Sequence, residues 1–273
     1  MIYFGTESHM QWIAAPAINV DRGRGRWQAG GIFLNGGAFE KHSVYGHRQY
    51  NMNWNLLPVQ EAQQITDYAD GVFGPGLLYF LDPFAADKNA LPLSWSVPAL
   101  ACDDAPSMIR GKRPERGVNG ANDKRLPANS AFYTLESGDS FDSIFIPVPP
   151  GYHFHFGVVG YATGTARVEL APASGVVVSP EVMPTTGTQL TNTVLSGVNG
   201  GVTVRLAGVG TIVLGAMLAR VLPTNVGDIR GEFVSGQGSA GLRFSNPPTV
   251  TGYSAVMDLQ AVSATLREVG PWE

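Results

Sequence analysis

Two histidines at alternate positions of one predicted strand are the only close pair among the five histidines of the sequence. In the segment YHFHFGVV, His153 and His155 alternate with Tyr152, Phe154 and Phe156. Because side chains in a strand alternate between its faces, both imidazoles lie on one face and could reach one metal ion. The sequence marks no third ligand. We therefore interpret the pair as an exposed polar face opposite an aromatic core face, and expect neither a metal nor a cofactor.

Residues suited to nucleophilic or acid–base catalysis do not fall into a recognised pattern. The segment GQGSAG at 236–241 departs from a nucleophile elbow, because Gln237 stands where that motif needs a glycine. The sequence also has neither a phosphate-binding glycine-rich loop nor a dinucleotide fingerprint. Carboxylates of glycosidases can be far apart in sequence, which leaves four candidates open: Glu61, Asp82, Glu136 and Asp139. The sequence predicts a protein that is not an enzyme and has no catalytic residues.

Tryptophan side chains offer a different chemistry, because their rings can stack on sugars. Tryptophan is also common in cores and in protein–protein interfaces. Trp54 lies in an alternating strand and is predicted to be a core residue, whereas Trp272 is predicted to be exposed or to lie at a subunit interface. Cys102 is the only cysteine, which excludes an internal disulfide and a cysteine-based metal cluster.

The composition favours a β-rich protein without a strong electrostatic partner. Charged residues make up 15% of the 273 residues, against about 25% in an average protein. The 34 glycines and 19 prolines indicate many turns between short strands. A net charge of -4 provides no general attraction to nucleic acid or to acidic membranes. The N-terminus lacks a signal-peptide pattern, so we expect synthesis in a reducing cytoplasm.

The residues from Tyr50 to Gly71 predict a strand followed by the one helix of the chain. Tyr50, Met52, Trp54 and Leu56 alternate with polar residues, which predicts one packed face. The opposite face carries the amides of three residues that are candidates for a subunit contact, with a simple solvated face as the alternative: Asn51, Asn53 and Asn55.

The helix is predicted at about 58–72 because Pro58 is a good first helical residue and a glycine follows the pattern. Its apolar positions recur every three or four residues, which predicts one narrow stripe packed on a sheet. These positions are Ala62, Ile65, Ala69 and Val72.

Composition divides the chain into three parts. Residues 1–100 are predicted to form a β-sandwich with the helix, and residues 128–273 a second β-sandwich. Residues 101–127 lack an apolar period and are predicted to be an arm or linker. Its basic residues could contact nucleic acid, but nearby acidic residues favour a solvated or subunit-contacting arm. They are Arg110, Lys112, Arg113 and Arg116, of which the first three are further candidates for the subunit interface.

Two segments carry a resemblance to a known family. The segment RQYNMNWNLLPVQEAQQITDYADGVFGPGLLYFLDPFAADKNALPLSWSVP, Arg48 to Pro98, resembles the N-terminal half of distal tail or minor tail proteins of long-tailed, siphovirus-type bacteriophages that infect actinobacteria. The segment GLRFSNPPTVTGYSAVMDLQAVSATLREVGPW, Gly241 to Trp272, is similar to the close of such proteins. These motifs are patterns of strands and a helix with few chemically specific residues.

The resemblance implies a fold and a function. It implies a first β-sandwich with one helix, which assembles into a ring, and a second galectin-like or carbohydrate-binding-module-like β-sandwich. It implies a structural protein of the virion tail tip that is made in the host cytoplasm. The copies of this protein would form a homo-oligomeric ring, expected to be a hexamer. Its partners would be the tail tube protein, the tail-tip hub and other minor tail proteins, with DNA passing through the lumen. The alternatives are a tail protein that binds a host cell-wall glycan, and a cell-wall hydrolase.

Overall fold

The computed structural model describes residues 1–19, 24–25, 28–32, 38–42, 47–103, 105–118, 126–173, 175–178, 189–225, 233–254 and 258–269. The fold is mainly β and is built from several sheets with one long helix, which confirms the predicted fold class. The sheets have nine, five, three and two strands within these residues. The smallest is a hairpin of β5 (Gln28–Ile32) and β6 (Ala38–His42).

The first sheet contains strands from both ends of the chain. Its strands are β1 (Ile2–Thr6), β2 (His9–Ile13), β3 (Ala17–Asn19), β4 (Arg24–Gly25), β7 (His47–Pro58), β8 (Leu78–Phe80), β17 (Leu242–Phe244), β18 (Thr249–Ser254) and β19 (Leu259–Glu268). The main path runs β2-β1-β8-β17-β19-β7-β3, while β18 pairs with β19 and β4 pairs with β7. All the pairings are antiparallel.

Helix α1 (Val59–Ala69) covers one face of this sheet. Ala62, Ile65 and Tyr68 are buried against strands β1, β7, β8, β17 and β19. Burying this apolar surface is the main force that holds the helix on the sheet. The helix therefore packs as the sequence predicts, with a solvated outer side.

The buried stripe of α1 differs from the predicted one at its C-terminal end. Tyr68 takes the place predicted for Ala69 and Val72, and Val72 is 65% exposed. The reason is that the helix stops at Asp70 and the chain turns through Gly71, whose φ is 74°. Val72 lies beyond that turn, so the helical period no longer determines where its side chain points.

A β-bulge changes which residues of β7 are buried. Trp54 pairs with Val262, but Leu57 pairs with Gln260, so β7 has one extra residue at this point. Such a bulge shifts the alternation of side chains. Leu57 is consequently buried, whereas Leu56, predicted to be on the packed face, is 64% exposed.

Two further sheets form the second part of the structure. Their strands are β9 (Glu115–Val118), β10 (Asn129–Leu135), β11 (Ser143–Val148), β12 (Tyr152–Ala162), β13 (Arg167–Pro172), β14 (Gln189–Leu195), β15 (Gly200–Ala207) and β16 (Gly210–Pro223). The five-stranded sheet has the order β14-β12-β16-β10-β9, and the three-stranded sheet the order β11-β15-β13. Buried side chains of both sheets pack into one apolar core. We call this pair of sheets the second sandwich.

The strand pairing departs from the predicted grouping of residues 128–273. Strands β17, β18 and β19 pair within the first sheet, with β19 lying beside β7. Alternating side chains predict that a segment is a strand, but they do not predict its partner. The division into two folding domains remains a prediction.

The segment 101–127, predicted to be an arm or linker, is packed against the second sandwich where it is described. Met108 and Ile109 are buried, and Ile109 forms a β-bridge with Phe141. Before it lie two short helices, α2 (Pro83–Ala86) and α3 (Leu93–Ser96), and a 3-10 helix at Pro98–Cys102. Cys102 is half-buried.

Candidate functional site

A broad polar face lies on the side of the first sheet opposite α1. Residues directly opposite each other in antiparallel strands share a face, and Thr249, Ser263 and Asn53 form one such row across β18, β19 and β7. The neighbouring row contains Thr265 and Asn51. We define the hydroxyl–amide face as these five residues together with Thr251, which pairs with Ala261.

The hydroxyl–amide face is uncharged and partly cross-linked by its own side chains. The Ser263 hydroxyl bonds Asn53 Oδ1 at 2.7 Å, and the Thr265 hydroxyl donates to Asn51 Oδ1 at 3.0 Å. Thr249, Thr251 and Ser263 are exposed, whereas Asn51, Asn53 and Thr265 are half-buried. The hydroxyl groups thus set the orientation of the amides across the sheet.

The candidate interface residues of β7 separate into two groups. Asn51 and Asn53 lie within the hydroxyl–amide face, while Asn55 lies at the bulge and is exposed. Sequence reasoning missed Ser263 and Thr265, although the alternation of β19 places them on the same polar side. Whether this face contacts another subunit remains a prediction.

The candidate basic residues all have partners within the chain. Arg110 forms an ion pair with Asp142 at 3.3 Å, and Lys112 one with Asp139 at 2.7 Å. The hydrogen bond between Lys112 and Asp139 raises the pKa of Lys112 and lowers the pKa of Asp139.

Arg113 and Arg116 both bind Asp103. Arg113 donates to its backbone carbonyl, and Arg116 forms an ion pair with its carboxylate at 2.6 Å. The basic segment is therefore neutralised locally, which weakens any attraction to nucleic acid. The remaining interface candidate, Trp272, lies outside the described residues.

The two candidate metal-ligating histidines lie in different surroundings. His155 is 2% exposed, with its Nε2 3.2 Å from Asn192 Oδ1, while His153 is half-buried. The prediction of an exposed face is therefore wrong at His155, which lies where β12 is paired with β14 on one side and β16 on the other. The described part of the chain contains no group of three histidine, cysteine or acidic side chains placed to hold a metal ion.

The four candidate carboxylates have structural contacts. Glu61 accepts a hydrogen bond from the backbone N–H of Ala14 at 2.8 Å, which ties α1 to the chain after β2. Asp82 accepts one from Phe84 and caps α2. Glu136 and Asp139 both bind Lys112.

Asn89 is buried where the two parts of the structure meet. Its Nδ2 donates to the carbonyls of Met217 and Val234 at 3.0 and 2.8 Å, and its Oδ1 accepts from the N–H groups of Leu91 and Ala219 at 3.2 and 3.1 Å. An amide has two donors and an acceptor with two lone pairs. All its hydrogen-bonding capacity is used within the chain.

This amide also completes the edge of a sheet. Strand β10 pairs with residues 210–214 of β16. Further along the same strand, Ala90 donates to the carbonyl of Ala219 at 2.7 Å, beside the bond from Ala219 to Asn89. The segment around Asn89 thus pairs with backbone groups that an exposed edge would leave open.

Arg48 anchors the loop that contains GQGSAG. Its guanidinium, in a residue 6% exposed, donates to the carbonyls of Gly236, Gln237 and Gly238. Glu268 accepts from the backbone N–H of Arg48 at 3.1 Å. We define the junction as Asn89, Arg48, Glu268 and the loop 233–240.

Close packing explains the glycines of this loop. A Cβ at Gly236 would overlap the carbonyl oxygen of Leu91, and one at Gly238 that of Ala90. Gly236 also donates its N–H to Ser96 Oγ at 2.6 Å. The loop is therefore a structural connection, in agreement with the absence of the glycine that a nucleophile elbow requires at position 237.

A cleft of about 220 Å³ lies beside the junction. Its walls include Tyr79, Phe141, Arg110 and Asp142. Asp142 is 5% exposed, and its Oδ2 has no hydrogen-bond partner within the described residues. Burial raises the pKa of Asp142, against the opposing effect of Arg110. Sequence reasoning missed Asp142, because no periodic or motif signal marks it.

Comparisons with known proteins give a weak structural likeness to a phage protein. No family model and no curated protein matches the chain. A crystal structure of the enzymatically active domain of tailspike protein 4 from bacteriophage CBA120 is similar, with 12% sequence identity and a TM-score of 0.37. The match covers 52% of this chain and 22% of the tailspike chain, so this chain spans about a fifth of that protein.

This neighbour corrects one prediction. The prediction that the protein is not an enzyme is contradicted, because the similar structure is an enzymatically active domain. We withdraw that exclusion. A likeness this distant does not transfer an activity or a substrate. Among the described residues, no helix has the length and apolar character needed to cross a membrane.

Proposed function

We propose that this protein is a structural component of a phage tail that assembles with copies of itself through the hydroxyl–amide face. The observation that carries the proposal is the face itself: uncharged polar side chains spread across β18, β19 and β7, on the side away from α1. The resemblance of Arg48–Pro98 to distal tail proteins supports the phage assignment.

The composition of the face supports a protein contact. Charged residues are depleted at the centre of protein–protein interfaces and more common at the rim. Here the hydroxyl–amide face is uncharged. Arg243 of β17 and Arg267 of β19 lie opposite each other at its margin, on the same side of the sheet. Strand β18 lies at the border of the face, where a further strand could add to the sheet.

The finer proposal follows the family resemblance. In this proposal the ring is a hexamer that joins the tail tube to the tail tip. It contacts the tube protein, the tail-tip hub and other minor tail proteins, and DNA passes through its lumen. Closed cyclic symmetry suits this arrangement, because a heterologous contact repeated around an axis closes a ring. The protein would then reside in the virion tail tip after synthesis in the host cytoplasm.

The test places a charge in the centre of the face. Ser263→Arg and Thr265→Arg would each bury an unpaired guanidinium in the contact, which costs several kcal/mol. We expect the unmodified protein to form a discrete oligomer by native mass spectrometry, and both variants to be monomeric. Thr134→Arg, at an exposed position of β10, is the matched control and should keep the oligomer.

Two outcomes would contradict the proposal. One is a monomeric unmodified protein at every concentration tested. The other is an oligomer that survives both arginine substitutions in the face. Circular dichroism of the variants checks that loss of assembly does not come from unfolding.

A further inference from the structure

A cleft between the two parts of the molecule has the features of a small binding site. Tyr79 lines it from β8 of the first sheet and Leu77 from just before that strand, whereas Phe141 and Asp142 lie just before β11. Its volume of about 220 Å³ would hold about seven water molecules at roughly 30 Å³ each. It is smaller than the roughly 300–1,000 Å³ typical of sites for drug-sized ligands, so it suits one compact residue of a larger ligand.

The second observation is a buried carboxylate oxygen without a partner. Asp142 is 5% exposed, and its Oδ1 accepts a hydrogen bond from Arg110 at 3.3 Å. Its Oδ2 has no partner within the described residues. A buried polar atom left unsatisfied costs about 1–3 kcal/mol, so a ligand that donates to Oδ2 would recover that cost.

The charges at the site select a neutral ligand. Arg110 already neutralises Asp142, so a cationic ligand would meet the guanidinium as well as the carboxylate. An anionic ligand would meet the carboxylate at close range. Both like-charge contacts are unfavourable in a partly desolvated cleft. A neutral group with O–H donors avoids both.

The aromatic walls indicate what else the ligand presents. Tyr79 and Phe141 are half-buried and line the cleft on two sides. Tyr79 is held by an edge contact with Phe145, with ring centroids 4.9 Å apart. Aromatic side chains with a few placed polar groups are typical of small-molecule sites. A ligand with C–H faces and hydroxyl edges would satisfy both the rings and Asp142.

We propose that this cleft binds one residue of a neutral saccharide, with Asp142 Oδ2 accepting a hydroxyl hydrogen bond and Arg110 holding Asp142 in place. The site uses residues of the first sheet and of the segment that precedes β11. It does not depend on the proposed assembly, because Asp142 and Tyr79 lie outside the hydroxyl–amide face.

The experiment uses the full chain and defined probes. Saturation-transfer NMR and calorimetric titration would be run with glucose, galactose, N-acetylglucosamine and, as a cationic probe, n-butylammonium. We expect at least one sugar to bind in the millimolar range and Asp142→Asn to weaken it at least tenfold, because Asn removes the charged acceptor. Asp139→Asn is the matched control, since Asp139 is three residues away and binds Lys112 instead.

Each possible outcome either supports or overturns the proposed saccharide site. Binding of a neutral sugar that is lost in Asp142→Asn and kept in Asp139→Asn supports the proposal. Absence of any sugar signal, equal effects of the two substitutions, or binding of n-butylammonium in place of the sugars overturns it. A thermal melt of Asp142→Asn verifies that the variant is folded, and the oligomeric state reports separately on assembly.

Discussion

The junction and the hydroxyl–amide face are both rich in uncharged or paired polar groups, but they use them differently. At the junction, Asn89 directs all its hydrogen bonds to groups within the chain. On the hydroxyl–amide face, Thr249 and Thr251 are exposed, and the exposed Ser263 forms a hydrogen bond with Asn53 on the neighbouring strand β7. Polar groups that are satisfied internally hold this molecule together, whereas those turned outward are available to other molecules.

The largest effect on stability is expected from Asn89→Ala. The substitution would leave the carbonyls of Met217 and Val234 and the N–H of Ala219 without this partner. At about 1–3 kcal/mol for each unsatisfied buried group, partly relieved by water, we expect a loss of about 3–5 kcal/mol. Chemical denaturation would measure it. Asn199→Ala, at an exposed position, is the control, and a loss below about 1 kcal/mol at Asn89 would break the comparison.

A smaller loss is expected from Arg48→Met. Methionine keeps the buried apolar stem but removes the donors to Gly236, Gln237 and Gly238. We expect the free energy of unfolding to fall by about 2–4 kcal/mol, since hydrogen bonds from charged groups are each worth about 1.5–3 kcal/mol and part of the desolvation cost is recovered. Denaturant unfolding of Arg48→Met against Arg243→Met, an exposed arginine, isolates the loop contact. Equal losses in the two variants would contradict this role.

The smallest effect is expected from the titration of Asp142, and its sign is informative. Burial raises the pKa of Asp142 above 3.8 in the folded protein, so the folded state keeps a proton that the unfolded state has released. Stability should therefore fall as the pH rises from about 3.8 through the raised pKa, and level off above it. Arg110 and Tyr79, which line the same cleft, do not titrate there, because the guanidinium stays charged and burial raises the pKa of Tyr79.

Thermal melts across this pH range would compare the wild type with two variants. Asp142→Asn should gain stability relative to wild type as the pH rises. Asp139→Asn should show the opposite trend, because Lys112 lowers the pKa of Asp139 and its contribution is lost on acidification. The same pH dependence in both variants would contradict the assigned environments.

The sequence predicted the local elements better than their partners. The alternation of Tyr50, Met52 and Trp54 correctly indicated the packed face of β7, and α1 lies within its predicted range. The bulge beyond Trp54 was not visible, because it depends on the register with β19. That register joins residues more than 200 positions apart, and no local period contains it.

The candidate sites show the same limit. Asn51 and Asn53 were found because a strand period marks them, whereas Ser263 and Thr265 join them only through the pairing of β7 with β19. Asn89 and Asp142 carry no motif, since their roles come from burial and from distant backbone groups. The sequence alone does not reveal the acidic partners of the basic residues from Arg110 to Arg116, because partners such as Asp139 and Asp142 follow in another loop.

The most direct test of the central proposal is a cryo-electron microscopy map of the protein assembled at its native stoichiometry. We expect a closed ring in which the hydroxyl–amide face, centred on Asn53, Ser263 and Thr265, is buried between neighbouring subunits. A map in which this face points to solvent in every subunit, or a preparation that contains only monomers, would contradict the account.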